Sequence, residues 1–159
     1  MINVALLGFG RIGQMHAANI NKNKDLKLLY VYEKIDLLCR KAKRQYNCKI
    51  EKNYSKIFQD KNVDLIFISS PTSTHIKFIE KGIKYKKTIF CEKPLDLNIK
   101  KILKTLKKVK KSKSKIQLGF NRRYDPGHYS IKRDLEKNKI GKLEKIIITS
   151  RDPAPPSSS

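Results

Sequence analysis

Acidic residues are scarce in this chain of 159 residues: 14 Asp and Glu stand against 37 Lys and Arg, a formal charge of +23. Tryptophan is absent, and cysteine occurs three times, at Cys39, Cys48 and Cys91, never in a C-x-x-C pair. An odd, unpaired set argues against a disulfide framework and supplies no zinc ligand set, so free thiols in a reducing compartment and no bound metal are expected. No apolar run approaches the roughly 20 residues of a membrane helix. The N-terminus runs straight into INVALL without the basic segment of a signal peptide. A cytoplasmic protein without membrane contact is the expectation. The charge excess raises nucleic acid as a partner, but it is mostly lysine scattered through helical stretches and no recognition motif accompanies it. A basic nucleic-acid-binding domain therefore stands only as the lesser alternative.

Short apolar runs alternate with longer amphipathic stretches. Strands are expected over Ile2–Leu7, Leu26–Tyr32, 48–50, 63–69, Thr88–Cys91 and 116–120. Helices are expected over 11–23, Asp36–Tyr46 with Leu37, Leu38 and Ala42 on one side, 74–85, and 98–111. The last carries an apolar stripe of Ile99, Ile102, Leu103, Leu106 and Val109 behind Asn98 as N-cap. Near-continuous Val/Ile/Leu strands alternating with helices imply a parallel sheet covered on both faces. After Phe120 the rhythm changes to a polar NRRYDPG turn, a basic helix over 130–139, a strand over 143–149 and a proline-rich end. The expected division is 1–120 and 121–159.

Directly after the first strand stands GFGRIG, with Gly8, Gly10 and Gly13 in the G-x-G-x-x-G spacing and a helix following. The first glycine permits a tight turn, the second lets backbone approach a pyrophosphate, and the third lets helix lie close to strand. Phe9, Arg11 and Ile12 complete that turn, and the helix N-terminus offers its free N–H groups to phosphate. Glu33 follows Gly13 by 20 residues at the end of the second strand, where an acid can accept from both ribose hydroxyls and repel a 2′-phosphate. NAD is thereby favoured over NADP, with the adjacent Lys34 weakening the preference. Two further segments fall at strand ends: SSPTSTH, contributing Ser70, Pro71, Thr72 and His75 with Ser73 or Thr74 as a helix cap, and EKP, contributing Glu92 and Lys93 in a turn set by Pro94. An X-Pro bond in such a turn can be cis.

GFGRIGQMH, Glu33, SSPTSTH, CEKP and GFNRRYDP, in this order, resemble the Gfo/Idh/MocA family of NAD(P)-dependent oxidoreductases, and FNRRYDP with TSRDPAPP is most similar to its myo-inositol 2-dehydrogenase branch. The resemblance implies a Rossmann-type doubly wound parallel sheet binding NAD, followed by the start of a second, α+β substrate and oligomerisation domain. It implies hydride transfer from a ring secondary alcohol of a cyclic polyol or sugar, most closely myo-inositol to its 2-ketone. Lys93 would be the catalytic lysine between nicotinamide and substrate, and Asn121 and Arg122 would lie by the substrate cleft. The family's proton-accepting aspartate–histidine pair belongs to the second domain and has no counterpart here; His16, His75 and His128 match none of its positions. The chain is thus expected to be a fragment, inactive alone, of a homo-oligomeric enzyme. The second reading is an NAD-binding module without turnover.

Overall fold

The computed structural model describes residues 1–151. The chain forms two compact units, one over Met1–Phe120 and one starting at Asn121. The first unit is a six-stranded sheet built from β1 (Ile2–Leu7), β2 (Leu26–Tyr32), β3 (Lys49–Ile50), β4 (Leu65–Ile68), β5 (Thr88–Cys91) and β6 (Ile116–Leu118). Its order is β3-β2-β1-β4-β5-β6, and every pairing is parallel. The order reverses between β1 and β4, which opens a crevice at the C-terminal ends of these two strands, where open α/β sheets bind ligands.

Strand alternation sorts the core onto two faces. Ala5, Leu7, Ile66, Ile68, Ile89 and Cys91 point to one, packed by α3 (Tyr54–Gln59), α4 (His75–Lys84) and α5 (Ile99–Ser112). Val4, Leu6, Val31 and Phe67 point to the other, under α1 (Arg11–Lys22) and α2 (Asp36–Tyr46). The helices fit because their small or apolar residues recur on one side, as with Ala17 and Ile20 in α1 and Phe78 and Ile79 in α4.

The structure departs from the sequence expectations in identifiable places. It adds α3, a six-residue helix in a stretch for which the residue pattern predicts no element; Asn53 caps it by accepting from the Ser55 N–H at 2.9 Å. Leu37 is exposed, and Cys39 joins Ala42 as the buried face of α2. On α5 only Ile102, Thr105 and Val109 turn inward, while Ile99, Leu103 and Leu106 stay exposed on a neighbouring flank. Asn98 does cap α5, accepting from the N–H groups of Lys100 and Lys101. No side chain caps α4: a short 3-10 turn, Thr72–Thr74, precedes it, and the Thr74 hydroxyl donates to the Pro71 carbonyl instead.

In the second unit, α6 spans Pro126–Glu136, starting earlier than its basic stretch suggests. Asp125 caps it and Pro126 takes the first position, where the missing N–H costs nothing. Leu143–Thr149 forms no strand; Ile146, Ile147 and Ile148 are exposed, and no ladder partner lies beside them among the described residues. A strand exists only by pairing. Residues 152–159 of the proline-rich end lie outside the described residues. No helix among the described residues is long and apolar enough to cross a membrane.

Candidate functional site

The glycine turn sits at the crevice between β1 and β4, and its glycines differ in what a side chain would meet. Gly8 has φ +96°, and a Cβ there would stand 2.7 Å from the backbone of Ser70. A Cβ on Gly13 would meet the Gly8 carbonyl oxygen at 2.3 Å, so helix and turn touch only because it is absent. A Cβ on Gly10 would meet nothing within 4 Å. Gly10 is the N-cap of α1 and contributes no side-chain bond, and the first turn holds no acid. The free N–H groups of a 12-residue helix therefore open onto space with room for an anion beside a bare backbone. This is the geometry a dinucleotide pyrophosphate requires, and the residues present fit it.

Around the turn, neighbouring strand ends are tied together. Gly8 N–H donates to Tyr32 O at 2.8 Å, and Ser69 Oγ donates to Gly8 O at 2.9 Å. Glu33 accepts from Phe9 N–H through Oε2 at 2.8 Å and from the N–H groups of Lys34 and Ile35 through Oε1 at 2.7 and 3.0 Å. Three of the roughly four acceptor directions of its carboxylate are used by backbone. One direction remains for a ligand, where the sequence suggested a carboxylate free to take both ribose hydroxyls. The loop behind Glu33 is held as well: Lys52 Nζ donates to Lys34 O and to Asp36 Oδ1, both at 2.8 Å. That ammonium keeps the Asp36 carboxyl below its usual pKa.

A cleft of about 360 Å³ opens here. Gly8, Glu33, Ser70 and Pro71, all expected site residues, line it. So do Tyr54 from α3 and Lys77 from α4, which the sequence reasoning missed. The Lys77 ammonium lies 4.7 Å from the Tyr54 ring centroid. A signal for Tyr54 was present in Asn53, a cap residue followed by apolar Tyr54, Ile57 and Phe58 at helical spacing; for Lys77 there was none.

The other expected residues take varied positions. Arg11 is exposed at the start of α1, and Ile12 is half-buried beside it. The Phe9 side chain is fully buried, so only its backbone faces the turn. Thr72 stands on the 3-10 turn outside the cleft wall. His75 is 1% exposed, with Nε2 2.8 Å from Ser70 O and Nδ1 2.8 Å from Pro94 O. It thus ties the cleft loop to the turn carrying Lys93, with both ring nitrogens turned to backbone carbonyls. Lys93 is exposed at the end of β5, before a cis bond to Pro94. Glu92 is turned inward: Oε1 pairs with His16 Nε2 at 2.7 Å and Oε2 accepts from Lys93 N–H at 3.2 Å. His16 is wedged against the rings of Phe67 and Phe90. Beneath the turn Cys91 is fully buried, and burial, with a smaller contribution from Glu92, pushes its thiol up to about 12. Asn121 and Arg122 belong to the second unit, exposed on the 3-10 turn Asn121–Tyr124.

Residues 2–120 match the Gfo/Idh/MocA family, described as an oxidoreductase family with an NAD-binding Rossmann fold. The chain is 36% identical over 155 residues to an inositol 2-dehydrogenase of Rhizobium meliloti, covering 98% of this chain and 47% of that protein. It is 35% identical over 158 residues to a myo-inositol 2-dehydrogenase of Thermotoga maritima, with the same coverage of 98% and 47%. Among solved structures, the scyllo-inositol dehydrogenase of Lactobacillus casei with bound NAD(H) and scyllo-inositol superposes with a TM-score of 0.84 at 30% identity, covering 89% of this chain and 42% of that one. The chain spans about half the length of the curated relatives it matches.

Proposed function

The chain belongs to the Gfo/Idh/MocA family of NAD-binding oxidoreductases, and from that premise we propose that it is the cofactor-binding part of an NAD-dependent dehydrogenase acting on a ring secondary alcohol of a cyclic polyol, with myo-inositol as the first substrate to test. The observation that carries this reading is the meeting of the glycine turn, Glu33 and the Lys93 turn on the ends of β1, β2 and β5 in one parallel sheet. The named inositol dehydrogenases among the relatives support the substrate class. Bound NAD supplies the hydride acceptor. The N–H groups opening α1 hold its pyrophosphate, and Glu33 accepts from one adenosine-ribose hydroxyl through its remaining acceptor direction. The Lys93 ammonium donates to the substrate hydroxyl and stabilises negative charge growing on that oxygen. Asn121 and Arg122 are assigned to substrate contacts, and the unit from Asn121 to the opening of a substrate and oligomerisation domain. Three buried free cysteines suit a reducing compartment such as the cytoplasm.

Titration of the purified chain with NAD tests the cofactor reading, and saturable binding at micromolar to low millimolar concentration is expected. Appearance of NADH on mixing with myo-inositol and NAD tests the reaction in a protein that carries the full length of the relatives. Failure of that longer protein to oxidise any cyclic polyol or sugar rejects the substrate. NAD binding without turnover there would favour a non-catalytic dinucleotide module.

A further inference from the structure

One buried titratable side chain has no part in the proposed reaction. His75 opens α4 and is 1% exposed, yet each ring nitrogen meets a carbonyl oxygen at 2.8 Å, Nδ1 that of Pro94 and Nε2 that of Ser70. A neutral imidazole carries one N–H and one bare lone pair. In that form one contact would press lone pair against lone pair, away from water and closer than an ordinary N–H···O bond. An imidazolium donates to both carbonyls, and 2.8 Å lies in the range of charge-assisted bonds. The α4 dipole opposes a cation at this end of the helix, but two carbonyl oxygens in direct contact with the ring outweigh it. Among the described residues no charged side chain bonds to the ring, and those on the surrounding elements have other partners or stand in solvent. Glu92 takes His16 and the Lys93 N–H, Asp96 accepts from the Asn98 N–H, and Glu80 pairs with Lys108 of α5. Lys77 and Lys81 lie over Tyr54, Lys84 lies over Tyr85, and Lys93 and the lysines of α5 are exposed. The Cys91 thiol donates to the Glu92 carbonyl.

We propose that His75 is a positioning residue: held as an imidazolium, it fixes the cleft loop at Ser70 and the Lys93 turn at Pro94 in one geometry, and loss of its second proton frees one of the two carbonyls. The proposal rests on the reading of the cleft as an NAD site and of Lys93 as the group on the substrate hydroxyl. Ser70 lines that cleft, its backbone 2.7 Å from where a Gly8 Cβ would stand and its hydroxyl 2.6 Å from that of Thr74. Pro94 follows Lys93 directly. One ring thus sets the spacing between the glycine turn and the Lys93 ammonium, which the reaction needs held constant. The sign follows from the donors: the strap is complete while both nitrogens are protonated and is lost as pH rises.

Long-range proton–nitrogen NMR of the whole chain with isotope-labelled histidine tests this. His75→Gln assigns the signals, or His16→Asn and His128→Asn by elimination where that variant does not fold. At about pH 7.5, roughly one unit above the ordinary histidine value, both His75 ring nitrogens should carry a proton. A bare ring nitrogen there overturns the proposal. As pH rises further and the second proton leaves, NAD affinity should fall by about fivefold over the same range, the worth of one hydrogen bond. His75→Gln, whose amide donates to one carbonyl while its oxygen faces the other, should match that weaker affinity and show no step. Hydrogen exchange reads the same strap without cofactor. Amides of the Lys93 turn should exchange about fivefold faster in His75→Gln than in wild type at about pH 7.5, with the loop from Lys34 to Asp36 unchanged. A flat NAD profile while the second proton leaves, or exchange in the Lys93 turn unmoved by the substitution, also overturns the proposal. A chain that binds no NAD at any pH defeats the cofactor reading, and the nitrogen spectra and hydrogen exchange then decide the role of His75 by themselves.

Discussion

Two glutamates end two strands of the sheet, and they are held in different ways. Glu33 closes β2 and Glu92 closes β5. Each carbonyl accepts from a cysteine thiol at 3.3 Å, Cys39 under Glu33 and Cys91 under Glu92. Each carboxylate reaches back to the first βα unit, Glu33 to the Phe9 N–H and Glu92 to the His16 ring. The difference lies in the partners. Glu33 is fixed by three peptide N–H groups, which neither titrate nor mutate away. Glu92 is fixed by one side chain and one N–H, and that side chain depends on its packing against Phe67 and Phe90. The cofactor side is thus secured by backbone and the lysine side by side chains, so single substitutions should loosen the second selectively.

Removing what both anchors share should have the largest effect. Gly13→Ala places a Cβ against the Gly8 carbonyl and pushes α1, with the turn and His16, off the sheet. A loss of at least about 2 kcal/mol of stability is expected, since backbone has no rotamer to yield with. A lower melting temperature and loss of NAD binding would record it. Unchanged melting and affinity would show that the two loops do not hang from this joint. Next in size is Glu33→Ala, which leaves three N–H groups without their acceptor. About 1–2 kcal/mol is expected for this partly exposed site, with NAD binding weakened more than about tenfold. Glu33→Gln keeps one acceptor oxygen and should fall between wild type and Glu33→Ala. Equal losses for the two variants would mean that charge toward the ligand, and not the backbone lock, is what Glu33 supplies.

A smaller effect should separate the second glutamate from the first. His16→Ala and Glu92→Ala each remove the 2.7 Å pair, and the double variant should cost little more than either alone, a coupling of about 1 kcal/mol in urea unfolding. Additive losses would show that Glu92 is held by the Lys93 N–H and not by His16. No comparable cycle exists for Glu33, because its partners are backbone. NAD affinity should change less in these variants than in Glu33→Ala, which keeps the two loops distinct in function.

Much of this arrangement was legible in the chain itself. Ile2–Leu7, Leu26–Tyr32 and Thr88–Cys91 have the bounds the residue pattern predicts, because buried parallel strands read as mostly apolar runs ended by polar residues, and the helix Asp36–Tyr46 has its predicted bounds as well. The glycine turn and Glu33 were legible for the same reason: their spacing is local. What was not legible comes from distance along the chain. Tyr54 and Lys77 reach the cleft from α3 and α4, and no spacing links them to Gly8. A lone histidine such as His75 gives no hint that two carbonyls 24 residues apart will close on its ring. Glu33 stands at the end of β2 as its spacing suggests, and only the folded loop shows how much of the carboxylate its own backbone occupies. The true start of the helix Pro126–Glu136 hid behind Asp-Pro-Gly, residues that serve a turn and a helix start equally well.

The two cysteines beneath the glutamates give the mildest probe of the comparison, one that perturbs nothing. Cys91 is fully buried, and burial with the nearby Glu92 charge pushes it up to about 12, so its thiol stays protonated at pH 8.5. The sign is plain: the reactive thiolate appears only as pH rises toward that value, or when the turn opens. Cys39 is 6% exposed and lies under the exposed loop from Lys34 to Asp36. Alkylation of the native chain with iodoacetamide, followed by mass spectrometry of its peptides, should modify Cys39 before Cys91, and denaturant should bring their rates together. Saturating NAD should slow Cys39 further, because a ligand on the Glu33 loop suppresses the opening that exposes the thiol. If Cys91 reacted first, the lysine turn would open more often than burial indicates, and the side-chain lock of His16 and Glu92 would then be looser than the single-site substitutions above assume.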